Sequence, residues 1–599
     1  MWRRARELLL ALERPAKNSI FVANMASSII SGGTIRTLSD GQPTVEAVGI
    51  VGDRIVATGA VEAVRSRLGP GATTFDLRGR TLLPAFNDDH LHVLSTGDYF
   101  ARPHLHGLST EEVIERVREF YRDARPGEVL YGLGWDYPSV VDPHRSLLDR
   151  AFPDNPVVLY QYSGHGAWAS SSALAMIGVR RSTRDPVGGK IERDERGEPT
   201  GILLDAAARP FSRRRTRRQI GDADLRRRLI ERSLGLLAEH GITTAQDNSW
   251  YPEVVREYLR LDREGKLTAR LSCWADGRSP WRRWLVDSQP FALPPAERRA
   301  GRGEASGDGR GSNAGAGDGA RAGLRADGRG DRGLVTRGPV KYFLDGTFST
   351  RTAWLLSPYA AEPDNSGLPM GTIAWMRELV RRSAAARRQT AFHAIGDRAV
   401  RELVNSVEEA AARYPAVRSL RVRIEHGQLI DAADIPRIRD LGMVVSAQPT
   451  ALIRPEKDER LLGKERAIGA YPYRSLLDAG VHLAFGSDVP GESTFDPLGA
   501  IHDVVNRDSP ERISVLEALR CYTRGSAYAE FEEGEKGTIE PGRLADLVVL
   551  SADPLSVPPA AIRDLRVELT MVGGRVVYER SRERENSTIR RSSVTLAEE

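Results

Sequence analysis

Cysteine is almost absent from this 599-residue chain, with Cys273 and Cys521 the only two. Two thiols give no disulfide framework, which suits a reducing cytoplasm. Long apolar runs are missing as well. None approaches the roughly 18 to 20 residues that span a bilayer. The amino terminus offers only Leu8-Leu-Leu-Ala-Leu12 between Glu7 and Glu13, too short for a signal-peptide core. The expectation is a cytoplasmic protein with no membrane partner, and Met25, just ahead of the first strand-like sequence, reads as its authentic start. Lysine is the third scarcity, at seven of 86 basic residues. Arginine replaces lysine readily on a solvated surface but does not readily lose its proton. A lysine kept at Lys341 therefore suits a place that needs a deprotonable amine.

What is present favours a large α/β protein. A hydrophobic fraction of 40% supports a substantial core, and the length favours one large domain with additions. The net charge of +5 and the clusters Arg213-Arg-Arg-Thr-Arg-Arg218 and Arg226-Arg-Arg228 raise the question of nucleic acid. No nucleic-acid motif accompanies them, so they read as solvated helix faces and no nucleic-acid partner is expected. Residues 298–333 are dominated by Gly, Arg, Ala and Asp, without apolar periodicity. Such a segment cannot bury a core, so it reads as disordered and dispensable for folding, as does the polar tail after Glu579.

The motif that points to chemistry is His90-Leu-His92, at the end of the run from Thr81 through Pro84, Phe86 and Asp88. Side chains two apart on a strand point the same way, so both imidazoles can reach one metal ion. With eleven His in the chain, a chance His-X-His is expected roughly 0.2 times. A second copy, His104-Leu-His106, lacks the apolar lead-in and reads as surface or subdomain residues. Four later segments repeat the theme of a short apolar run ending in a ligand type. They are Val340-Lys341-Tyr-Phe-Leu-Asp345, Thr390-Ala-Phe-His393, Val422-Arg-Ile-Glu425-His426 and Leu483-Ala-Phe-Gly-Ser487-Asp488. In a parallel α/β barrel the carboxyl ends of the strands converge on one face, where such folds place their chemistry. Two His, a Lys, two more His and an Asp in that order describe a hydrolytic metal centre.

With these motifs in this order, residues 27 to 580 resemble the metal-dependent amidohydrolase superfamily, and within it the amidohydrolase-3 (YtcJ-like) group. The resemblance extends to Gly132-Leu-Gly-Trp135-Asp136, Ser163-Gly-His165, Asp185-Pro-Val-Gly-Gly189, Gly241-Ile-Thr-Thr-Ala-Gln-Asp247, Arg351-Thr-Ala353 and Gly542-Arg-Leu-Ala-Asp546. It implies a (β/α)8 TIM-like barrel over 81–536, with an inserted subdomain at 93–240 and the low-complexity insertion at 298–333. Residues 26–80 and 537–579 are expected to join as one small β-sandwich, flanked by a basic extension at 1–25 and a tail at 580–599. Thr243–Asp247, Ala269–Ala275 and Val444–Gln448 are the expected strands two, three and seven.

The resemblance also implies a ligand set. His90, His92 and Asp488 would hold one divalent ion and His393 with His426 a second, bridged by Lys341 after carboxylation by carbon dioxide. Imidazole and carboxylate donors suit zinc, as one or two ions. Such a centre makes hydroxide available near neutral pH, and Asp488 is the candidate to carry its proton to the leaving amine. The expected substrate is a small linear or N-substituted amide, contacted by Trp135, Asp136, His165, Asp345 and Arg351. A homodimer is the assembly left open. A cyclic-amide hydrolase or deaminase remains the alternative within enzymes, and a catalytically silent scaffold the alternative outside them. Simpler roles stay open for single residues: a Lys341–Asp345 salt bridge, a core position for Trp135, and an orienting role for Asp88. The chain departs from the family pattern at Ala85, at Asp89 and after Gln448-Pro449, which puts substrate contacts from strand seven in doubt.

Overall fold

The computed structural model describes residues 27–580 except 138, 162–165, 187–188, 249–250, 278–332, 349, 361, 454 and 492–494. The basic extension, His165, nearly all of the low-complexity insertion and the tail beyond 580 lie outside the described residues. Among the described residues no helix is long and apolar enough to cross a membrane. They fall into two compact units, one of Leu94–Glu231 and one of 27–93 with 232–580.

The larger unit holds an eight-stranded parallel sheet in sequential order. Its strands are β1 (Phe86–Leu91), β2 (Ile242–Asp247), β3 (Arg270–Asp276), β4 (Val335–Phe343), β5 (Thr390–Ala394), β6 (Arg423–His426), β7 (Val444–Ala447) and β8 (His482–Phe485). Ala391, Phe392, Ile424, Val444, Val445, Ala484 and Phe485 are all buried, as expected of parallel strands covered on both faces. The two ends of the sheet meet at the carboxyl edge. Asp488 N–H donates to the His90 carbonyl at 2.6 Å, and His92 N–H to the Val489 carbonyl at 3.1 Å. Gly486 permits this closure, because a Cβ there would lie 2.4 Å from His90 N and 2.6 Å from an Asp89 carboxylate oxygen. The architecture is the α/β barrel expected from the sequence.

Both ends of the chain contribute to a sandwich in the same unit. One sheet runs Arg54–Gly59, Ala47–Val51, Ser27–Ser31, Thr73–Asp76. The other runs Arg575–Glu579, Val567–Val572, Leu547–Leu550, Thr81–Pro84, Thr34–Arg36, Thr44–Val45. Alternate apolar residues form one shared core, including Ile30, Val48, Ile50, Leu82, Leu547, Val549, Leu569 and Met571. The apolar run leading to His90 therefore serves two sheets. Thr81–Pro84 pairs antiparallel with Leu547–Leu550 in the sandwich, and only after Ala85 does the chain enter the barrel.

The smaller unit has its own five-stranded sheet, ordered Gly189–Arg193, Pro199–Asp205, Gly166–Ala169, Val157–Gln161, Leu130–Trp135. Strand alternation sends Val157 and Leu159 to one apolar cluster and Val158 and Tyr160 to another, so both faces of this sheet are covered.

Candidate metal centre

The carboxyl edge of the barrel gathers the ligand-type residues. His90 closes β1, His393 and His426 lie at the ends of β5 and β6, and Asp488 follows β8. Asp488 Oδ1 stands 3.2 Å from His92 Nε2 and 3.5 Å from His90 Nε2, and these three side chains form one potential cation-binding group. The His393 and His426 ring centroids are 4.4 Å apart, and His426 lies 5.3 Å from His90. Two of the residues hold left-handed backbone, His426 at φ 76° and Asp488 at φ 52°. Non-glycine residues adopt that region at a cost and concentrate there at functional sites.

Each imidazole is oriented by an oxygen on its outer side. His90 Nδ1 is 2.7 Å from Glu425 Oε2 and His426 Nδ1 is 2.7 Å from Gln448 Oε1. His393 Nε2 is 3.0 Å from the Gly346 carbonyl, and His92 Nδ1 is 3.2 Å from that of Asn248. These oxygens only accept, so the ring nitrogen facing each carries the proton and the other keeps its lone pair. The Asn248 amide donates to His90 Nε2 at 3.3 Å, which agrees with that tautomer. Outer acceptors of this kind are how metal-binding histidines are aimed.

Electrostatics point the same way. Burial, reinforced by the charge on Lys341, pushes the His90 and His393 rings each down to about 4. Burial, then His393 and Lys341, lower His426 well below its ordinary value. These rings are neutral at pH 7, the form that ligates a metal. Burial alone would raise the Asp488 carboxyl, but His90, His92 and His426 outweigh it and hold it well below the usual range. Four imidazole donors and a carboxylate at one largely buried edge fit a divalent cation.

Lys341 lies on the inner side of β4 and is 1% exposed. Its charge is felt by His90, His393 and His426, and it responds in turn to Glu425 and Asp488. Burial pushes its ammonium down to about 8. Its Nζ is 5.8 Å from the centre of the Trp274 ring and 5.3 Å from that of Phe343. Trp274, fully buried on β3, also packs its ring 5.0 Å from His90.

Several expectations need revision. Trp135 is a core residue of the smaller unit, its indole N–H donating to the Leu159 carbonyl at 2.8 Å, rather than a substrate wall. Asp136 pairs with His106 at 3.3 Å in that same unit, His106 being one of the subdomain residues. Asp345 makes no ion pair with Lys341. Its oxygens accept from the backbone N–H groups of Trp354, Ile395 and Gly396, which ties the loop after β4 to the end of β5. Arg351 is exposed and pairs with Glu362. Asp88 accepts from the backbone of His90 and Ser487 instead of orienting a ring. Glu425 and Gln448 take the orienting role. Both stand in the sequence beside motif residues, and an acidic or amide side chain on a buried strand was the available signal.

The model of the family described as "Amidohydrolase family" matches residues 73–578. YtcJ of Bacillus subtilis is 28% identical over 581 residues, 92% of this chain and 100% of its own. The N-substituted formamide deformylase of Arthrobacter pascens is 27% identical over 594 residues, 94% of this chain and 100% of its own. The crystal structure of an uncharacterized metal-dependent hydrolase from Pyrococcus furiosus superposes with a TM-score of 0.69 at 28% identity, covering 88% of this chain and 100% of that one.

Proposed function

This chain belongs to the amidohydrolase family, and on that premise we propose that it hydrolyses a linear or N-substituted amide of small-molecule size. The observation that carries the reading is the set of four imidazoles, each with an acceptor behind its outer nitrogen, converging with Asp488 and Lys341 at the barrel's carboxyl edge. A relative of nearly equal length is named for deformylating N-substituted formamides, which supports this substrate class.

His90, His92 and Asp488 would hold one divalent ion, with zinc the best match to the donors, and His393 with His426 a second. Lys341, once carboxylated by carbon dioxide, would supply an anionic donor to both. The ion contributes Lewis acidity, acidifying water and polarising the acyl oxygen. The residues do the rest. Asp488 accepts the proton of the attacking water and passes it to the amide nitrogen as the C–N bond breaks, giving a carboxylic acid and an amine. The Asp488 carboxyl, held well below the usual carboxylate range, is ionised and available for that transfer. The polar backbone clamp made by Asp345 keeps His393 and the loop after β4 in register. Lys341 favours hydrolysis over deamination, because mononuclear deaminases of this superfamily generally lack the bridging lysine. The two buried thiols, Cys273 and Cys521, support a reducing compartment, the cytoplasm.

The test is elemental analysis of the purified protein together with a panel of amides, carbamates and lactones. One to two equivalents of divalent metal per chain and turnover confined to amides are expected. Metal near zero with no uptake on titration overturns the reading.

A further inference from the structure

Beneath the ligand layer the barrel interior departs from the apolar filling usual for this fold. Arg423 sits there with no exposed surface, flanked by two carboxylates that are equally buried. Its Nε donates to Glu425 Oε1 at 2.7 Å and its Nη2 to Glu425 Oε2 at 3.3 Å. The same Nη2 reaches the Asp89 carbonyl at 2.9 Å and the Asp89 carboxylate at 3.2 Å, while Nη1 donates to Gln246 Oε1 at 2.5 Å. Gln246 is anchored in turn by its amide, which donates to the Ser526 carbonyl at 2.9 Å. The Trp274 ring covers one face of the guanidinium, 4.6 Å from Cζ. Three barrel strands, β1, β2 and β6, and the segment carrying Ser526 thus meet on one planar fork.

The oxygen of Glu425 that faces His90 belongs to the carboxylate this fork holds. A glutamate carboxylate on three rotatable bonds, unsupported, could turn away from the imidazole. Gripped at both oxygens, it cannot. We infer that Arg423 is a positioning residue of the metal centre, acting through Glu425 to fix the rotation of the His90 ring and so the direction of its Nε2 lone pair. The inference rests on the reading of His90 as a metal ligand. A lysine at 423 would not reproduce the grip, since a point charge cannot serve Glu425, Asp89 and Gln246 with the fixed geometry of a guanidinium. The buried charges also explain why an apolar replacement is hazardous, because it strands Asp89 and Glu425 without a counter-charge.

The experiment uses the full-length protein with zinc as the probe, its affinity measured by competition with a chelator. The set is wild type, Arg423→Lys, Glu425→Gln, Gln246→Leu and the control His90→Ala. Outer partners of ligating histidines typically carry 10- to 100-fold in metal affinity. Glu425→Gln is expected to fall in that range, Arg423→Lys to weaken zinc about tenfold, and Gln246→Leu, which removes one anchor of the fork, to weaken it less. In protein labelled with nitrogen-15 at histidine, the downfield His90 Nδ1–H resonance should shift in Arg423→Lys, although residue 423 does not touch the ring. Zinc affinity within twofold of wild type in both Arg423→Lys and Glu425→Gln, with that resonance unmoved, overturns the inference even if the melting temperature falls. A wild-type protein that takes up no zinc, or a His90→Ala variant that binds it as tightly, overturns the metal reading instead.

Discussion

Replacing or starving Lys341 separates a carboxylated bridge from an ordinary buried cation. Carbon dioxide reacts with the neutral amine only. With its ammonium pushed down to about 8 from the ordinary 10.5, Lys341 is neutral at pH 7 in about one molecule in ten, against roughly one in three thousand for a solvated lysine. Burial thus raises the reactive fraction by about 300-fold. The sign is fixed: the neutral fraction is about half at pH 8, nearly complete above about pH 9, and falls about tenfold per pH unit below 7. Apo-protein reconstituted with zinc in degassed buffer should recover activity slowly. Adding bicarbonate should accelerate recovery, with a rate that rises about tenfold from pH 6 to 7 and levels off above about 9 at constant dissolved carbon dioxide. Lys341→Ala should lose at least one metal and nearly all turnover, with partial rescue by acetate or formate. Lys341→Arg keeps the positive charge but supplies no oxygen donor. Full metal content and full activity in Lys341→Arg, or recovery indifferent to bicarbonate, would refute the carboxylated-lysine reasoning.

Other outcomes follow from the same geometry. His393→Ala and His426→Ala should each lower metal occupancy and abolish amide hydrolysis with an unchanged far-ultraviolet circular dichroism spectrum, since the barrel core lies below the ligand edge; normal turnover in either removes it from the site. Asp488→Asn should lower kcat by about 10²- to 10⁴-fold, the usual share of a general acid–base group, and a drop of less than threefold would take the proton transfer away from Asp488. Gly486→Ala forces a methyl against His90 N and the Asp89 carboxylate, so urea denaturation should show a loss of about 1–3 kcal/mol; an unchanged midpoint would mean the two strands do not close there. Withdrawing the metal with a chelator should lower the melting temperature, because an ion present at 100 times its Kd stabilises the folded state by about 2.7 kcal/mol. A melting temperature indifferent to chelation and resupply counts against a site confined to the folded chain.

The barrel and its edge were legible in the sequence because parallel strands write themselves as short apolar runs and their last residues write the chemistry. His90 with His92 and His393 followed directly from that pattern. His426 did not follow from alternation. Arg423 and Glu425 both turn inward on β6, so strict alternation sends His426 outward. Its left-handed backbone returns the ring to the site, and no periodicity in the sequence announces a positive φ. The double use of the run through Thr81 was hidden for a related reason, since a buried sandwich strand and a buried barrel strand have the same apolar composition. Arg423 was read past because a buried guanidinium and a solvated one look alike until their partners are known. For Trp135 the sequence leaves a pocket wall and a core position equally open, because a tryptophan beside a Gly-rich turn suits either, and its burial in the smaller unit selects the core.

The pairing of Thr81–Pro84 with Leu547–Leu550 has a consequence for how the chain is made. The amino-terminal strands leave the ribosome first, but the partner of the Thr81–Pro84 edge is not available until residue 550 has been synthesised. At about 5–20 residues per second that interval is roughly 25 to 90 seconds. Throughout it the Thr81–Pro84 strand presents an unpaired apolar edge, the kind of surface that recruits another nascent chain. Premature termination anywhere in the barrel would leave the same edge permanently open. Production of this protein should therefore depend on chaperone supply and growth temperature more than its finished stability suggests, and a separately supplied segment spanning Leu547 to Glu579 is the natural candidate to close the gap.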